Sequence, residues 1–531
     1  MPTAKKRCPR CGRMSLVRNG LGDRGRKQRW LCRGTTGDRS ICYSTTNPDL
    51  PAPRRQNHTL EDAKPKVFRR KLERSVFVIT AAQNATPVHE GFVRSLRQYC
   101  DHRSAELLVI PLRYKNPTSR WSKSQENDEV WAPEITPYLY NVRKALNKNL
   151  VVLGDIKTQP TAVNPLTGYE AFTHGESGIL GHTKLALKTI PTPQGKLPKI
   201  LTTTGACTVP NFTDSKAGKM GEFHHTLGAL VIEIVGNIFH MRQLGATSDG
   251  SFYDLEDHYG DEKPERGLRP FGLVMGDTHV NAISPAVRDA TFGSMIPALE
   301  PLNLVWHDLV EGISINHHTT RNPFVDTARQ IQRLGDVRDE CERAIHFVKR
   351  MTPRGVTSHI VPSNHNDWLH RWILDTDWKH LEAKNRSFYL HIAALLQEAA
   401  AGMEVDDAER LDAFTLFAKR HLGGPHGGKD IRVLSYDESL MLGKIECGMH
   451  GHLGPNGARG TLKNLRRIGV KSVTGHEHSP GIDEGAWRVG TSTELSRGYN
   501  RGPSSWLNTH CLIYPNSKRT LINIINGEWR A

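Results

Sequence analysis

Short apolar runs that end abruptly in polar residues mark the second half of the chain. FGLVMGDTHV (271–280), LNLVWHD (302–308), GVTSHIVPSNHND (355–367), KIECGMHGH (444–452) and KSVTGHEH (471–478) each read as a buried strand that stops at Asp, Asn or His. SPAVRDATFGSMIPAL (284–299) between the first two is helix-like. VDTARQIQRLGDVRDECERAIHFVKRM (325–351) repeats apolar positions at three and four residues and predicts one long amphipathic helix. Alternating strand and helix predicts an α/β sheet whose strand carboxyl ends collect ligand-binding residues. WRVGTSTELSRGY (487–499) and THCLIYPNSKRTLINIINGEWR (509–530) read as strands completing a second sheet, with PNSK as a turn.

Upstream, RSVFVITAAQN (74–84), VHEGFVRSLRQYCDH (88–102) and AELLVIPLRY (105–114) predict strand, helix and strand, and NLVVLGD (149–155) adds another buried strand. These define a smaller α/β domain over 73–265. Within it, TTTGACTVPNFTDSKAGKMGEFHHTLGAL (202–230) is polar, Gly-rich and loop-like. Its His224 and His225 are either phosphate contacts or packing residues. Residues 47–72, rich in Pro and charge, read as a linker.

Composition is that of a soluble globular protein, 37% hydrophobic and 24% charged over 531 residues, which is room for two to four domains. The longest apolar stretch, LGALVIEIVGNIF (227–239), is too short to span a bilayer and is interrupted by Glu233. No secretory signal is read at the basic N-terminus, and a cytoplasmic location without membrane contact is expected. The net charge of +16 is unevenly placed. Residues 1–76 hold 20 Lys/Arg against 6 Asp/Glu, whereas the other 455 hold 51 against 49. Such a basic arm fits a polyanionic partner, because each phosphate it neutralises releases counterions. The bland alternative is a solvated tail.

Four of the nine cysteines fall in the first 42 residues, in the pattern C-x2-C-x20-C-x9-C formed by Cys8, Cys11, Cys32 and Cys42. CPRCG (8–12) is a zinc-knuckle signature, since two thiolates in one tight turn chelate a metal. One structural Zn²⁺ is therefore expected in a basic ribbon over 1–46; free thiols in a tail are the alternative. The segment resembles the zinc ribbons of some insertion-sequence transposases, although its nine-residue last gap is longer than usual. Elsewhere the cysteines should be reduced.

The strand ends carry the chemistry. In order they read D-x-H (Asp277, His279), D (Asp308), NH (Asn364, His365), HGH (His450, His452) and GHxH (His476, His478). This order resembles the calcineurin-like metallophosphoesterase superfamily, whose motifs are D-x-H, GD-x-x-D, GNH(D/E), H and GH-x-H. The match spans roughly 268–500. It is weaker at WHDLVEG, and SNHND has Ser363 and Asn366 where Gly and an acid are usual. The resemblance implies a four-layer α/β/β/α catalytic core over 266–531 holding two divalent metals. Asp277, His279, Asp308 and His478 would ligate one, and Asp308, Asn364, His450 and His476 the other, with Asp308 bridging. His365 and Asp308 would be catalytic, His365 as proton donor or phosphate-orienting group. Oxygen and nitrogen ligands without thiolate favour Mn²⁺, with Fe²⁺, Zn²⁺ or Mg²⁺ as alternatives.

Substrate contacts are expected from INHHTTRNP (315–323), through His317, His318 and Arg321, and from HLGPNGARGTLKNLRRIG (452–469), through His452 and Arg459. With the GHxHSPGI…VGTS…GPSSW…TH ending, the whole resembles phage early proteins that degrade host DNA. That resemblance and the basic arm imply a DNase or phosphodiesterase of little sequence specificity, working on DNA in the host cytoplasm. A non-enzymatic DNA-binding protein with a structural metal, or a phosphatase on nucleotides or phosphoproteins, are the alternatives. Oligomeric state is not legible.

Overall fold

The computed structural model describes residues 17–22, 27–32, 43–45, 75–113, 130–316, 318–319, 322–422 and 430–530. The chain divides into two compact units, Met1–Asn57 and His58–Ala531. In the first, Val17–Gly22, Lys27–Cys32 and Tyr43–Thr45 form a three-stranded antiparallel sheet. Cys8, Cys11 and Cys42 of the expected zinc site lie outside the described residues, as does the linker; Cys32 closes the second strand.

The second unit is mixed α/β. Val76–Gln83 pairs in parallel with Glu106–Leu112, and the helix Glu90–His102 makes the crossover between them. Both strands are almost wholly buried, which is why their sequences are near-continuous apolar runs rather than alternating ones. Gly228–Val235 and Ile238–Gly245 extend this into a four-stranded sheet. The 202–230 segment is more ordered than expected: it contains the helix Lys216–His224, whose start is capped by the Ser215 hydroxyl accepting from the Gly218 N–H.

Two further sheets frame the strand ends. A six-stranded sheet contains Gly272–Val274, Asn303–Trp306, Thr357–Ile360 and Asp430–Val433 in parallel. It is completed by the antiparallel pair Thr509–Ile513 and Arg519–Asn523. Of the C-terminal segments expected to complete a second sheet, 509–530 thus extends the sheet of the D-x-H strand, whereas Ala486–Arg488 joins the other large sheet. Side chains alternate across it: Leu273, Leu304, Trp306 and Leu512 face a core shared with helices such as Val337–Met351 and Ala413–Leu422. Val274, Val305, Cys511 and Ile513 face the core that includes Ile445, Val473 and Trp487.

Those last residues belong to a ten-stranded sheet that combines strands of 441–488 with strands of 143–203. The join is antiparallel, with Ile482 opposite Leu187. The segments expected as separate domains, 73–265 and 266–531, thus share one sheet. The long helix expected over 325–351 is two helices, Pro323–Ile331 and Val337–Met351. Arg333 turns left-handed at φ +58°, and the Asp336 carboxylate accepts from the Asp339 N–H to start the second helix. Cys100, Cys207, Cys341, Cys447 and Cys511 are buried and in no disulfide. Among the described residues no helix is long and apolar enough to cross a membrane.

Candidate metal centre

The five strand ends meet between the two large sheets. Asp277, His279, Asp308 and Asn364 come from the six-stranded sheet, and His450, His476 and His478 from the ten-stranded one. Alternation alone would send His476 and His478 to opposite faces. The strand Lys471–Thr474 stops before them, and both adopt left-handed backbone, at φ +82° and +55°. His279 and Asp308 do the same, each at φ +42°. Four non-glycine residues held this way store strain of about 1–3 kcal/mol each, a cost tolerated where side chains must converge. Gly475 is required by close approach, because a Cβ there would lie 2.0 Å from Asp277 Oδ1.

Two overlapping donor sets result. In the first, His279 Nε2 lies 3.1 Å from His478 Nε2 and 3.7 Å from Asp308 Oδ2, and His478 Nε2 lies 3.2 Å from Asp277 Oδ2. Ligand atoms of Asp277, His279, Asp308 and His478 all fall within 4.8 Å of one another, and all four residues are buried. In the second, Asn364 Oδ1 lies 3.1 Å from His450 Nε2 and 3.0 Å from His476 Nδ1, while His450 Nε2 lies 3.1 Å from Asp308 Oδ2. Asp308 belongs to both. Asp277 Oδ1 is buried without a hydrogen-bond partner, and imidazole nitrogens face one another. Both features suit a cation, which takes oxygen and nitrogen lone pairs that cannot satisfy each other. The cluster is therefore able to hold a metal ion.

Electrostatics point the same way. Burial alone would raise the Asp277 carboxyl, yet the charges of His450 and His478 hold it down at about 2. Burial would likewise raise Asp308, but His450 and His365 keep it well below the usual carboxylate range. Against burial, which lowers an imidazole, the Glu311 carboxylate lifts His279 to about 9 and Asp308 lifts His450. Carboxylate charge thus dominates the field at this centre.

Glu311 was not singled out from sequence, although it stands at the last acid of the GD-x-x-D spacing, three residues after Asp308. Its Oε2 is 3.0 Å from His279 Nδ1, its Oε1 accepts from Arg497 at 2.9 Å, and its carbonyl accepts from His365 Nδ1 at 3.0 Å. It also forms a second possible cation-binding group with His279 and His365. Because a carbonyl only accepts, His365 carries its proton on Nδ1. Burial lowers His365 to about 4, so at neutral pH its Nε2 is an acceptor. The ring stacks on Trp368 with centroids 4.2 Å apart. His307, also missed, lies under the cluster with Nδ1 3.4 Å from His450 Nδ1.

The expected substrate contacts scatter. His452 is half-buried beside the cluster, its ring 5.4 Å from that of His450 and its Nε2 3.4 Å from the Tyr436 hydroxyl. Tyr436 in turn bonds Asp367, which burial and neighbouring Asp412 push up to about 8. His318 is exposed, one ring outward from Trp368. His317 and Arg321 lie outside the described residues. Arg459 is exposed on the rim of a groove that also contacts His476. His224 and His225 stand apart in packing roles, bonded to Glu484 and to the Thr208 carbonyl.

No family model matches the chain, and no solved structure does. A curated phage protein does: Protein A1 of Escherichia phage T5 is 30% identical over 472 residues, covering 86% of this chain and 83% of its own length. At that identity and coverage, the chain belongs to the family of the phage T5 Protein A1.

Proposed function

We propose that this chain is a metal-dependent phosphodiesterase that hydrolyses DNA with little sequence specificity. The observation that carries the reading is the convergence of two donor sets on a shared Asp308 from five separate strand ends. This is the arrangement expected of a calcineurin-like metallophosphoesterase core, and two sheets with helices against one of them are compatible with its four-layer plan. Asp277, His279, Asp308 and His478 would hold one divalent cation and Asp308, Asn364, His450 and His476 another, Mn²⁺ being favoured by the ligand types. When bound, such a pair supplies Lewis-acid polarisation of a phosphoryl oxygen and activation of water.

The chain's own groups do the rest. The Glu311 carboxylate faces His279 Nδ1 as an ion-pair partner, leaving Nε2 to turn to the cluster. His365, neutral and held by the Glu311 carbonyl, offers Nε2 as a hydrogen-bond acceptor for a protonated oxygen of the substrate or of water. The buried walls keep bulk water from screening these charges.

DNA as substrate is supported by the basic N-terminal segment, a footprint that a small-molecule phosphatase does not need. The zinc ribbon expected there would tether that charge. Membership of a phage family fits action on host DNA in the infected cell's cytoplasm. The test is hydrolysis of plasmid DNA with Mn²⁺ by the full chain and by its Asp308→Ala and His365→Ala variants. Bis(p-nitrophenyl) phosphate and a simple phosphomonoester run in parallel. Loss of both DNA and diester turnover in Asp308→Ala is expected. An inert wild-type chain with every divalent metal, or a clear preference for the monoester, would overturn the reading.

A further inference from the structure

Beside the metal cluster opens a groove of about 530 Å³, large enough for a nucleotide-sized group. It is lined by the His476–Gly481 turn, Ser505, Trp506, Leu187–Thr189 and Arg459. It therefore begins at a residue of the proposed centre, His476, and reaches the join of the ten-stranded sheet, where Gly481 pairs with Lys188.

Trp506 stands where the groove leaves the cluster. Its ring meets the His478 ring edge-on at 4.2 Å between centroids, and Tyr499, 56% exposed, lies 5.6 Å away on the other side. A half-buried tryptophan and an exposed tyrosine side by side offer aromatic faces on which a base can stack. The charges along the groove sort into matched and unmatched. Lys188 pairs with Glu170, and Arg488 with Glu477. Arg459, exposed in the lining, has no ion-pair partner among the described residues.

Aromatic faces at the reaction centre followed by a free cation are the recognition pattern of an unpaired nucleic-acid strand. Paired bases keep their faces inside the helix stack and cannot reach such a platform. We infer that this groove is the binding subsite for a single-stranded stretch of DNA adjoining the phosphate at the metal centre, with a base stacked on Trp506 and the backbone passing Arg459. The inference rests on the phosphodiesterase reading and adds the substrate form: an unpaired strand in preference to duplex.

The test uses the full chain with Mn²⁺, a labelled 12-nucleotide single strand, the same sequence as a blunt duplex, and bis(p-nitrophenyl) phosphate. Trp506→Leu should lower the ratio of single-strand to small-diester kcat/KM by roughly tenfold to a hundredfold, the usual worth of one stacked base, mainly through KM. Trp506→Tyr should restore most of it. Arg459→Ala should lower the same ratio less and flatten its salt dependence. Metal content of Trp506→Leu, which contacts His478, shows whether the centre is intact. With EDTA and no turnover, a strand carrying 4-thiothymidine should photo-crosslink to the peptide containing Tyr499 and Trp506. A chain that turns over neither diester nor DNA fails the functional reading itself. An active chain whose Trp506→Leu ratio is unchanged, that cuts blunt duplex as well as single strand, or that crosslinks only elsewhere, overturns the subsite.

Discussion

Replacing Glu311 by Gln keeps the side chain's volume and removes one negative charge from beneath the centre. The carboxylate is 7% exposed, 3.0 Å from His279 Nδ1 and 2.9 Å from Arg497. It is the group that raises His279 against burial, so the charge it contributes reaches the ring nitrogen that faces Asp308 and His478. A carboxylate that orients a metal-ligating imidazole typically contributes about 10–100-fold in metal affinity or activity, or about 1.4–2.7 kcal/mol. Gln retains one acceptor oxygen for either His279 or Arg497 but not the charge for both. The expected outcome is a Mn²⁺ dissociation constant weakened by at least about tenfold, read by calorimetry, with turnover of bis(p-nitrophenyl) phosphate recovering at saturating metal. A variant whose affinity and turnover stay within a factor of about two of the parent would refute the role given to Glu311, provided its thermal midpoint is unchanged.

Other outcomes follow from the same geometry. Gly475→Ala would put a methyl against Asp277 Oδ1, so metal binding and hydrolysis should fall together while far-ultraviolet circular dichroism is retained. Trp306→Ala empties a fully buried site and loses the bond to Ser358, and should cost about 3–5 kcal/mol in urea unfolding. His510 accepts from the Gly276 N–H and contacts the Thr291 hydroxyl, and burial lowers it from 6.5 to about 4. The unfolded chain therefore binds a proton there below pH 6.5 that the folded chain refuses until about pH 4. Stability from this one group is complete above 6.5 and should fall by about 2 kcal/mol between pH 7 and pH 5. His510→Gln should remove that increment from the pH dependence of the urea midpoint; an identical acid loss in variant and parent would contradict it. Cys8→Ser should weaken DNA binding and leave the diester kcat/KM intact if the N-terminal unit only tethers substrate; a parallel loss of both would place that unit at the centre itself.

Much of the cluster was legible without coordinates because each of its donor residues follows an apolar run, and the point where a buried strand meets solvent is marked in one dimension. Asp277, His279, Asp308, Asn364, His450, His476 and His478 all announce themselves this way. Glu311 did not, since it lies five residues beyond its strand, in a turn whose path depends on the Trp368 ring packed against Gly312. The break between the helices Pro323–Ile331 and Val337–Met351 was hidden for a related reason: apolar periodicity continues across it, and only the left-handed Arg333 and the Asp336 cap end the first helix.

By itself, the sequence determined the strands, the order of their chemical ends and the concentration of positive charge near the N-terminus, because these depend on local periodicity and composition. Tertiary structure alone decided which sheet each strand joins. Ile482 against Leu187 and Val274 against Cys511 are pairings between residues hundreds of positions apart, and an apolar strand carries no label for its partner. Only those pairings set the two donor groups face to face across Asp308 and opened the groove between Trp506 and the Ala186–Ile190 strand.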